Sequence, residues 1–463
     1  MHKLFKKSLS ILLVMILSFS LTACSSKKAT DTDAGESSDE PVEISFYSWW
    51  ADAEQEMGNA LIESFEKENP NIKVNATYIS EADYLSKLNA LVAADSMPDV
   101  YYLNEFLVNE WGNAGVSADL VPLFDKIGVD YNKTWIDTAL YKSNNSIYGI
   151  NYGSTSIVLY YNKEMLKNAG IEAPGKDASK PWTWDQYVDA AVAMTKDMKG
   201  KGPLDAGFDI NSCTQFGTTM SSTWIYWLPL LYAAGSSIAN DAGDTLLINS
   251  EPALTALQNI ADLSKVKQCA PSVGVTDSVF SDTSAMLMNN QLGMFVGGTF
   301  LLGNFTKENY DVGIAQIPTM NGAPASNMVW SAAYSMSAKS KHPEEAALFL
   351  NYMADFNHSV DAVLENDKLS LGSLPCTKDT LDEASKEYEN WTKAYSPAMA
   401  EVTSGILANA SRVGENVTLK NFSVIMYERL VPALDEVWLG SKTAKEAISA
   451  LEEQLKSDLQ GTW

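Results

Sequence analysis

Cysteine and histidine are scarce in this chain of 463 residues, which contains four cysteines and three histidines. No two cysteines form a CxxC motif, and those beyond Cys24 are Cys213, Cys269 and Cys376. These three allow either one disulfide with a free thiol or three thiols, and their spacing does not decide between the two. Because nitrogen and sulfur ligands are so few, the sequence predicts no metal site and no cofactor.

Basic residues are also in the minority, with 33 Lys and Arg against 58 Asp and Glu and a formal net charge of −25. A surface that binds nucleic acid needs positive charge, so we expect no nucleic-acid partner. The acidic excess is typical of a protein that stays soluble outside the cell. The length is enough for two or three domains, each with its own core.

Long apolar runs are absent except for the one near the start, from about residue 9 to residue 21. It follows three lysines and is too short to span a bilayer comfortably, which predicts a secretory signal. The junction Leu21-Thr22-Ala23-Cys24 is similar to a bacterial lipobox, in which Cys24 is lipidated and becomes the mature N-terminus. An ordinary signal peptide with a chance cysteine is the alternative.

Residues 24–41 contain no large apolar side chain and predict a flexible tether. With residues 1–23 as the signal, we expect a protein anchored to the cell membrane by lipid alone and facing the outside.

The body opens with alternating strands and helices. Strands are predicted at 42–48, 72–79 and 100–103, and helices at 53–68 and 82–94. This order favours an α/β fold with a parallel, doubly wound sheet, in which ligands bind beyond the carboxyl ends of strands. Two pairs lie at such ends: Trp49-Trp50 and Asn104-Glu105. Neighbours in an extended chain point to opposite sides, so one tryptophan can face a crevice while the other covers the core.

Ordered landmarks along the chain resemble one family, the extracellular solute-binding proteins of ABC importers, in the carbohydrate-type group that includes maltose-binding proteins. Those landmarks are Phe65–Val74, Asp83-Tyr84, Pro98–Val100, Tyr148–Ile150, Leu159–Lys163, Thr183–Asp185, Gly293–Gly298 and Val312–Pro318.

The resemblance implies a two-lobed periplasmic-binding-protein fold of type II, each lobe a mainly parallel sheet flanked by helices and joined by hinge crossovers. It implies crossings near residues 150, 310 and 355. The N-terminal lobe is then 42–150 and 310–355, and the C-terminal lobe is 151–309 and 356–463. It also implies a monomer that works with membrane permease subunits and a cytoplasmic ATPase. The chain predicts a further strand over 328–337.

A sugar has apolar faces and a rim of hydroxyls, so its site needs aromatic platforms and polar side chains. The sequence offers both at these landmarks. Within the aromatic cluster 224–227, Trp224 is the favoured contact. After Gly297-Gly298 the family often has a tryptophan, whereas this chain has Thr299-Phe300. The predicted ligand-binding residues are Trp49, Trp50, Asn104, Glu105, Asn151, Tyr152, Trp224, Trp227, Thr299, Trp330 and Arg412.

The resemblance therefore predicts a receptor, not an enzyme, that closes on a carbohydrate by hinge bending. We expect Trp49, Trp224 and Trp330 to share one cavity. A polyamine or other small cation is an alternative ligand, because the chain is acidic. A lipid-anchored glycoside hydrolase with two carboxylates is the alternative enzyme, although GxSxG, Walker A, HExxH and GxGxxG motifs are all absent.

Overall fold

The computed structural model describes residues 41–273, 282–306, 312–395, 402–403, 405–407 and 411–463. The predicted signal, the lipobox at Cys24 and the tether up to residue 40 lie outside these residues. Residues 41–463 form one compact unit. Within the described ranges, no helix is long and apolar enough to cross a membrane. The three cysteines of this unit are free thiols, with Cys269 and Cys376 buried.

The strands are numbered in chain order. They are β1 (Val42–Ser48), β2 (Ile72–Tyr78), β3 (Val100–Leu103), β4 (Leu140–Ser143), β5 (Ser146–Ile150), β6 (Thr155–Asn162), β7 (Lys196–Asp197), β8 (Cys213–Gln215), β9 (Met294–Gly298), β10 (Val312–Gln316), β11 (Asn327–Trp330), β12 (Ala333–Met336) and β13 (Ser411–Val413).

Three helices that border the site are α1 (Asp52–Glu68), α2 (Glu81–Ala93) and α3 (Glu105–Asn113). A π-helical segment spans Val424–Leu430. The other helices are Val121–Ile127, Tyr131–Thr134, Lys163–Asn168, Trp184–Met194, Trp224–Tyr232, Glu251–Lys265, Thr283–Met288, Gly303–Thr306, Pro343–Ala354, Phe356–Glu365, Lys386–Tyr395, Glu415–Thr418, Val431–Trp438 and Ala444–Asp458.

The first sheet has the strand order β2-β1-β3-β12-β5-β4. Strands β2, β1 and β3 are parallel, as the alternating strand–helix order predicts. Strand β12 pairs antiparallel with β3 and β5, and β4 pairs antiparallel with β5. The short turn between β4 and β5 allows a hairpin only, so this half of the sheet could not be parallel.

The second sheet is arranged around β6, a strand that is buried along its whole length. It pairs antiparallel with β9, β10 and β11, while β11 pairs in parallel with β13. The two-lobed α/β fold is therefore confirmed, but parallel pairing is confined to part of each sheet. Apart from the β4–β5 hairpin, every antiparallel pair described in these two sheets involves β6 or β12, the strands that follow a crossing from the other lobe.

The strand expected over 328–337 is in fact two strands that belong to different sheets. β11 lies in the second sheet and β12 in the first, and the chain crosses between them at Ser331-Ala332. Both strands are buried throughout, so the apolar run gives no sign of the break. Because β10 also lies in the second sheet, the crossing expected near residue 310 falls about 20 residues later.

Two large hydrophobic clusters cover the sheets. One side of β6, with Leu159 and Tyr161, packs with Trp227 and the helices of the second lobe. The other side, with Val158 and Tyr160, belongs to a cluster that continues to Phe46 of the first sheet. That second cluster also contains Phe356 and Trp391. Helix Phe356–Glu365, which was expected in the C-terminal lobe, therefore packs with the core of the first sheet.

Candidate functional site

A cavity of about 1190 Å³ lies between the two sheets. Residues that follow the carboxyl ends of β1, β2 and β3 form one wall, and residues around β11 and helix Trp224–Tyr232 form the other. This is where an α/β sheet is expected to bind a ligand. Trp49, Trp224 and Trp330 all line it, so the structure brings together the three tryptophans that the sequence predicted to share a cavity.

Trp49 and Trp50 both line the cavity, in different ways. Trp49 is half-buried and packs edge-on against Tyr84, with ring centroids 5.2 Å apart. Trp50 is buried and its ring lies against Gly58 of helix α1. A Cβ at position 58 would come within 2.4 Å of that ring, so glycine is needed there for close approach.

Four aromatic rings from separate segments meet behind the first wall. Trp50, Tyr102, Tyr152 and Tyr334 have mutual centroid distances of 5.4–6.2 Å, in tilted and edge-on arrangements. Such rings are rigid and bury large apolar areas. Burial raises the pKa of the Tyr102, Tyr152 and Tyr334 hydroxyls, which stay protonated at neutral pH and can donate hydrogen bonds.

Three buried polar atoms of residues that line the cavity have no hydrogen-bond partner among the described residues. They are Nε1 of Trp50, the hydroxyl of Tyr334 and Oγ of Ser359. An unpaired buried donor costs about 1–3 kcal/mol, so groups of this kind are normally satisfied. All three atoms are buried beneath the lining, so a ligand reaches them only where its binding moves the side chains that cover them.

The charged side chains of the described cavity lining are all carboxylates: Glu54, Glu81 and Glu105. Desolvation, together with the nearby charge of Glu81, raises the pKa of Glu54. Burial raises the pKa of Glu105, whose Oε1 accepts a hydrogen bond from Asn416 Nδ2 at 3.1 Å. Glu105 belongs to helix α3 of the first lobe and Asn416 to the second lobe, so this bond joins the two lobes.

The second wall is mainly aromatic. Trp224 lies 6.4 Å from Trp330 between ring centroids, and its Nε1 donates to the hydroxyl of Tyr427 at 3.0 Å. Phe300 is 39% exposed and Tyr427 is 47% exposed, although both are large hydrophobic residues. Tyr427 lies in the π-helical segment, a geometry that recurs at functional sites.

Seven of the eleven residues predicted from sequence line the cavity. Two of the others lie outside the lining while their chain neighbour belongs to it. Asn151 is buried while Tyr152 lines the site, and Thr299 is buried with Oγ1 accepting from the Ser156 amide while Phe300 lines it. The residues in the lining are Trp49, Trp50, Asn104, Glu105, Tyr152, Trp224 and Trp330.

Trp227 is a core residue, fully buried, with Nε1 donating to the carbonyl of Ser222 at 3.2 Å. It packs within the hydrophobic cluster of the second lobe, to which Trp224, 5% exposed, also belongs. The side chain of Arg412 lies outside the described residues. Its backbone belongs to β13, opposite Met328 of β11.

Several lining residues were not predicted. Glu54 and Glu81 lie in the first turns of helices that follow parallel strands, so the rule about carboxyl ends could have found them. Phe300 could have been found beside Thr299, as the aromatic residue nearest to the family's tryptophan position. Tyr427 carried no usable signal, because sequence periodicity assumes 3.6 residues per turn and the segment is π-helical.

Two α/β lobes around a cleft, joined by crossing strands, make this a periplasmic-binding-protein fold of type II. The sequence matches the model of the family described as bacterial extracellular solute-binding protein over residues 41–355, and the chain belongs to that family.

Its relatives are named for binding solutes. The sn-glycerol-3-phosphate-binding periplasmic protein of Agrobacterium fabrum is 25% identical over 61% of this chain and 63% of its own length. The multiple sugar-binding protein of Streptococcus mutans is 24% identical over 76% of this chain and 79% of its own length. The match thus spans less than two thirds of the first of these relatives.

Among solved structures, an ABC substrate-binding protein from Listeria monocytogenes in complex with cycloalternan is similar to this chain, with a TM-score of 0.74. It is 23% identical, and the comparison covers 90% of this chain and 99% of that one. This likeness establishes the shared fold.

Proposed function

We propose that this protein is the substrate-binding lipoprotein of an ABC importer and that it captures a sugar, preferably an oligosaccharide, between its lobes. The observation that carries the proposal is the aromatic cavity itself. Trp49, Trp224 and Trp330, from two lobes, line a single space of about 1190 Å³. Rings of this kind suit the apolar faces of a sugar, and the polar atoms beside them suit its hydroxyls.

Closure would use both walls. A ligand that contacts Trp49 of the first wall and Trp224 of the second stabilises the closed arrangement by its preference for that state. The existing bond between Glu105 and Asn416 lies at the same junction. In this proposal the closed complex is what a membrane permease recognises, and lipidated Cys24 with the tether 24–41 keeps the receptor at the outer surface of the cell membrane.

A thermal-shift screen over mono- and oligosaccharides is the primary test, followed by calorimetry on any hit. A ligand that binds only the native state raises the melting temperature. Saturable binding of a sugar supports the proposal. If a polyamine raises the melting temperature and no sugar does so at the same concentration, the protein is a polyamine receptor instead.

The alternative of a glycoside hydrolase has its own test. We expect no new reducing ends when the purified protein is incubated with oligosaccharides. Turnover that is lost in Glu105→Gln would overturn the receptor proposal. For the anchor, Cys24→Ala is expected to release the protein from membranes, and retention of that variant would exclude lipidation at Cys24.

A further inference from the structure

We infer that this cleft selects its ligand by charge: it favours a saccharide that carries an amine, accepts a neutral one and rejects one that carries a carboxylate or phosphate. Glu54 and Glu81 are the residues that set this preference. The inference deepens the function proposed above and rests on it, since it assigns a substrate class to the same cavity.

The first step is the sign of the charge in the lining. Glu54, Glu81 and Glu105 line the cavity, and no lysine, arginine or histidine does so among the residues that the structure describes. Desolvation and the nearby charge of Glu81 raise the pKa of Glu54, so the two carboxylates lie close enough for their charges to repel each other. A cation placed between them would offset that repulsion.

A simpler interpretation is that these glutamates only stabilise helices, because each lies in the first turn of α1, α2 or α3. A helix N-terminus carries roughly half a positive charge. Three such termini border the cavity, so together they contribute a charge of about +1.5. The three carboxylates, when ionised, contribute more negative charge than that. The helices therefore offset only part of the acidic charge, and the cleft remains negative.

Position supports a ligand role for Glu54 in particular. Glu54 precedes Gly58 by four residues on helix α1, so the two share one helical face. Gly58 lies directly against the ring of Trp50. The carboxylate of Glu54 is thus held on the side of the helix that faces the aromatic cluster, where ring faces also attract cations.

The second, independent observation is the set of unpaired polar atoms. Nε1 of Trp50, the Tyr334 hydroxyl and Oγ of Ser359 belong to residues that are at least nine-tenths buried, and they have no partner among the described residues. They belong to the same cavity lining as the carboxylates. They are buried beneath that lining, so in the proposed complex the saccharide hydroxyls pair with them once the lining moves on binding, while an amine meets Glu54.

The experiment uses three probes of one shape: maltotetraose, its 6-amino-6-deoxy derivative and its 6-carboxylate derivative, with the matching cellotetraose set in parallel. Calorimetry on the mature protein is expected to show the amine derivative binding about tenfold more tightly than the neutral sugar at low salt. The carboxylate derivative should bind at least tenfold more weakly. Added salt should reduce both differences.

The double variant Glu54→Gln/Glu81→Gln should lose the amine preference and bind the carboxylate derivative more tightly than the native protein does, because the helix N-termini are then uncompensated. Glu56→Gln is the matched control, since Glu56 is an exposed residue of the same helix outside the cavity lining. It should leave all three affinities unchanged.

Arg412 needs a variant of its own, because its strand pairs with the segment that leads to Trp330. If the carboxylate derivative binds as tightly as the amine and Arg412→Gln abolishes that binding, the inference is wrong while the proposed function stands. Equal affinity for the amine and neutral probes would also overturn the inference. In that case the glutamates act only as hydrogen-bond acceptors for sugar hydroxyls. If no probe of either set binds, the inference and the proposed carbohydrate function both fall.

Discussion

The two walls of the cleft are built from the same kinds of ring but differ in their polar groups. The first wall has the tight cluster around Trp50, three carboxylates, and donors without partners among the described residues. The second wall, around Trp224 and Trp330, has no carboxylate among its described lining residues, and the indole donor of Trp224 is already bonded to Tyr427.

This difference suggests a division of labour between the lobes. The first wall can choose a ligand through hydrogen bonds and charge, which depend on where each ligand group lies. The second wall can supply buried area, which depends little on the arrangement of hydroxyls. The variants that follow test that division, from the largest expected effect to the smallest.

Trp224→Ala removes the central ring of the second wall. We expect sugar affinity to fall tenfold or more, at least about 1.4 kcal/mol, because the platform and its contact with Trp330 are lost. Calorimetry measures the affinity, and a circular dichroism spectrum checks that the variant is folded. Tyr427→Phe is the control, since it removes the partner of the Trp224 donor but keeps a ring. Unchanged affinity in Trp224→Ala would refute the role given to this wall.

Gly58→Ala tests the first wall by displacing the ring of Trp50, a predicted ligand-binding residue, without replacing that residue. The added Cβ would lie 2.4 Å from the Trp50 ring and must displace it. We expect a stability loss of about 1–3 kcal/mol and about fivefold weaker binding, about 1 kcal/mol. Gly175→Ala is the matched control, because a Cβ there meets nothing within 4 Å. Equal affinities for the two variants would show that the position of Trp50 is unimportant.

Phe300→Ala removes an exposed ring from the second wall. We expect affinity to fall about threefold, about 0.7 kcal/mol, with little change in the midpoint of urea unfolding, because the ring is 39% exposed. Leu439→Ala, at a 66% exposed position outside the cavity lining, should change neither quantity. A large stability loss in Phe300→Ala would mean that the ring is structural.

Of these variants, Glu105→Gln should change sugar affinity least and should change the pH dependence of folding stability most. Burial raises the pKa of Glu105 in the folded protein above its ordinary value of 4.5, so the folded state holds this proton more tightly than the unfolded state. Stability from this group is therefore present at low pH and is lost as the pH rises from about 4.5 through the raised pKa. The glutamine variant, which can still accept from Asn416, should show a flatter curve.

Urea unfolding between pH 4.5 and neutral pH measures this difference, with Glu56→Gln as the exposed control. Parallel curves for Glu105→Gln and the native protein would show that the buried carboxylate does not titrate in that window. Such a result would weaken the contrast between a charged first wall and a neutral second one.

Local sequence patterns were sufficient for much of the fold. Alternation in β1 and β2 and the four-residue spacing in α1 identified those elements to within one residue at each end. Thr183, part of one of the landmarks, forms a complete capping box with Gln186, a local pattern that the sequence itself contains. Short-range geometry fixes such features, so neighbouring residues are enough to predict them.

The family was also readable from the ordered landmarks, and the position of the site followed from the carboxyl ends of the parallel strands. Trp49, Trp50, Asn104 and Glu105 were predicted in this way to border a crevice, and all four line the cavity. The choice between Asn151 and Tyr152, or between Thr299 and Phe300, could not be predicted from the sequence. Either neighbour can face the cleft until the chain is packed against its partners.

What the sequence by itself determined about this protein is the order of its elements, its membership of the solute-binding family and the rings available for a site. What only the tertiary structure decided is the crossing at Ser331-Ala332, the cavity position of Tyr427 and the meeting of Glu54 with the aromatic cluster. The physical reason is range: periodicity reports contacts between near neighbours, whereas the cleft is made by segments hundreds of residues apart whose burial depends on how the two lobes pack.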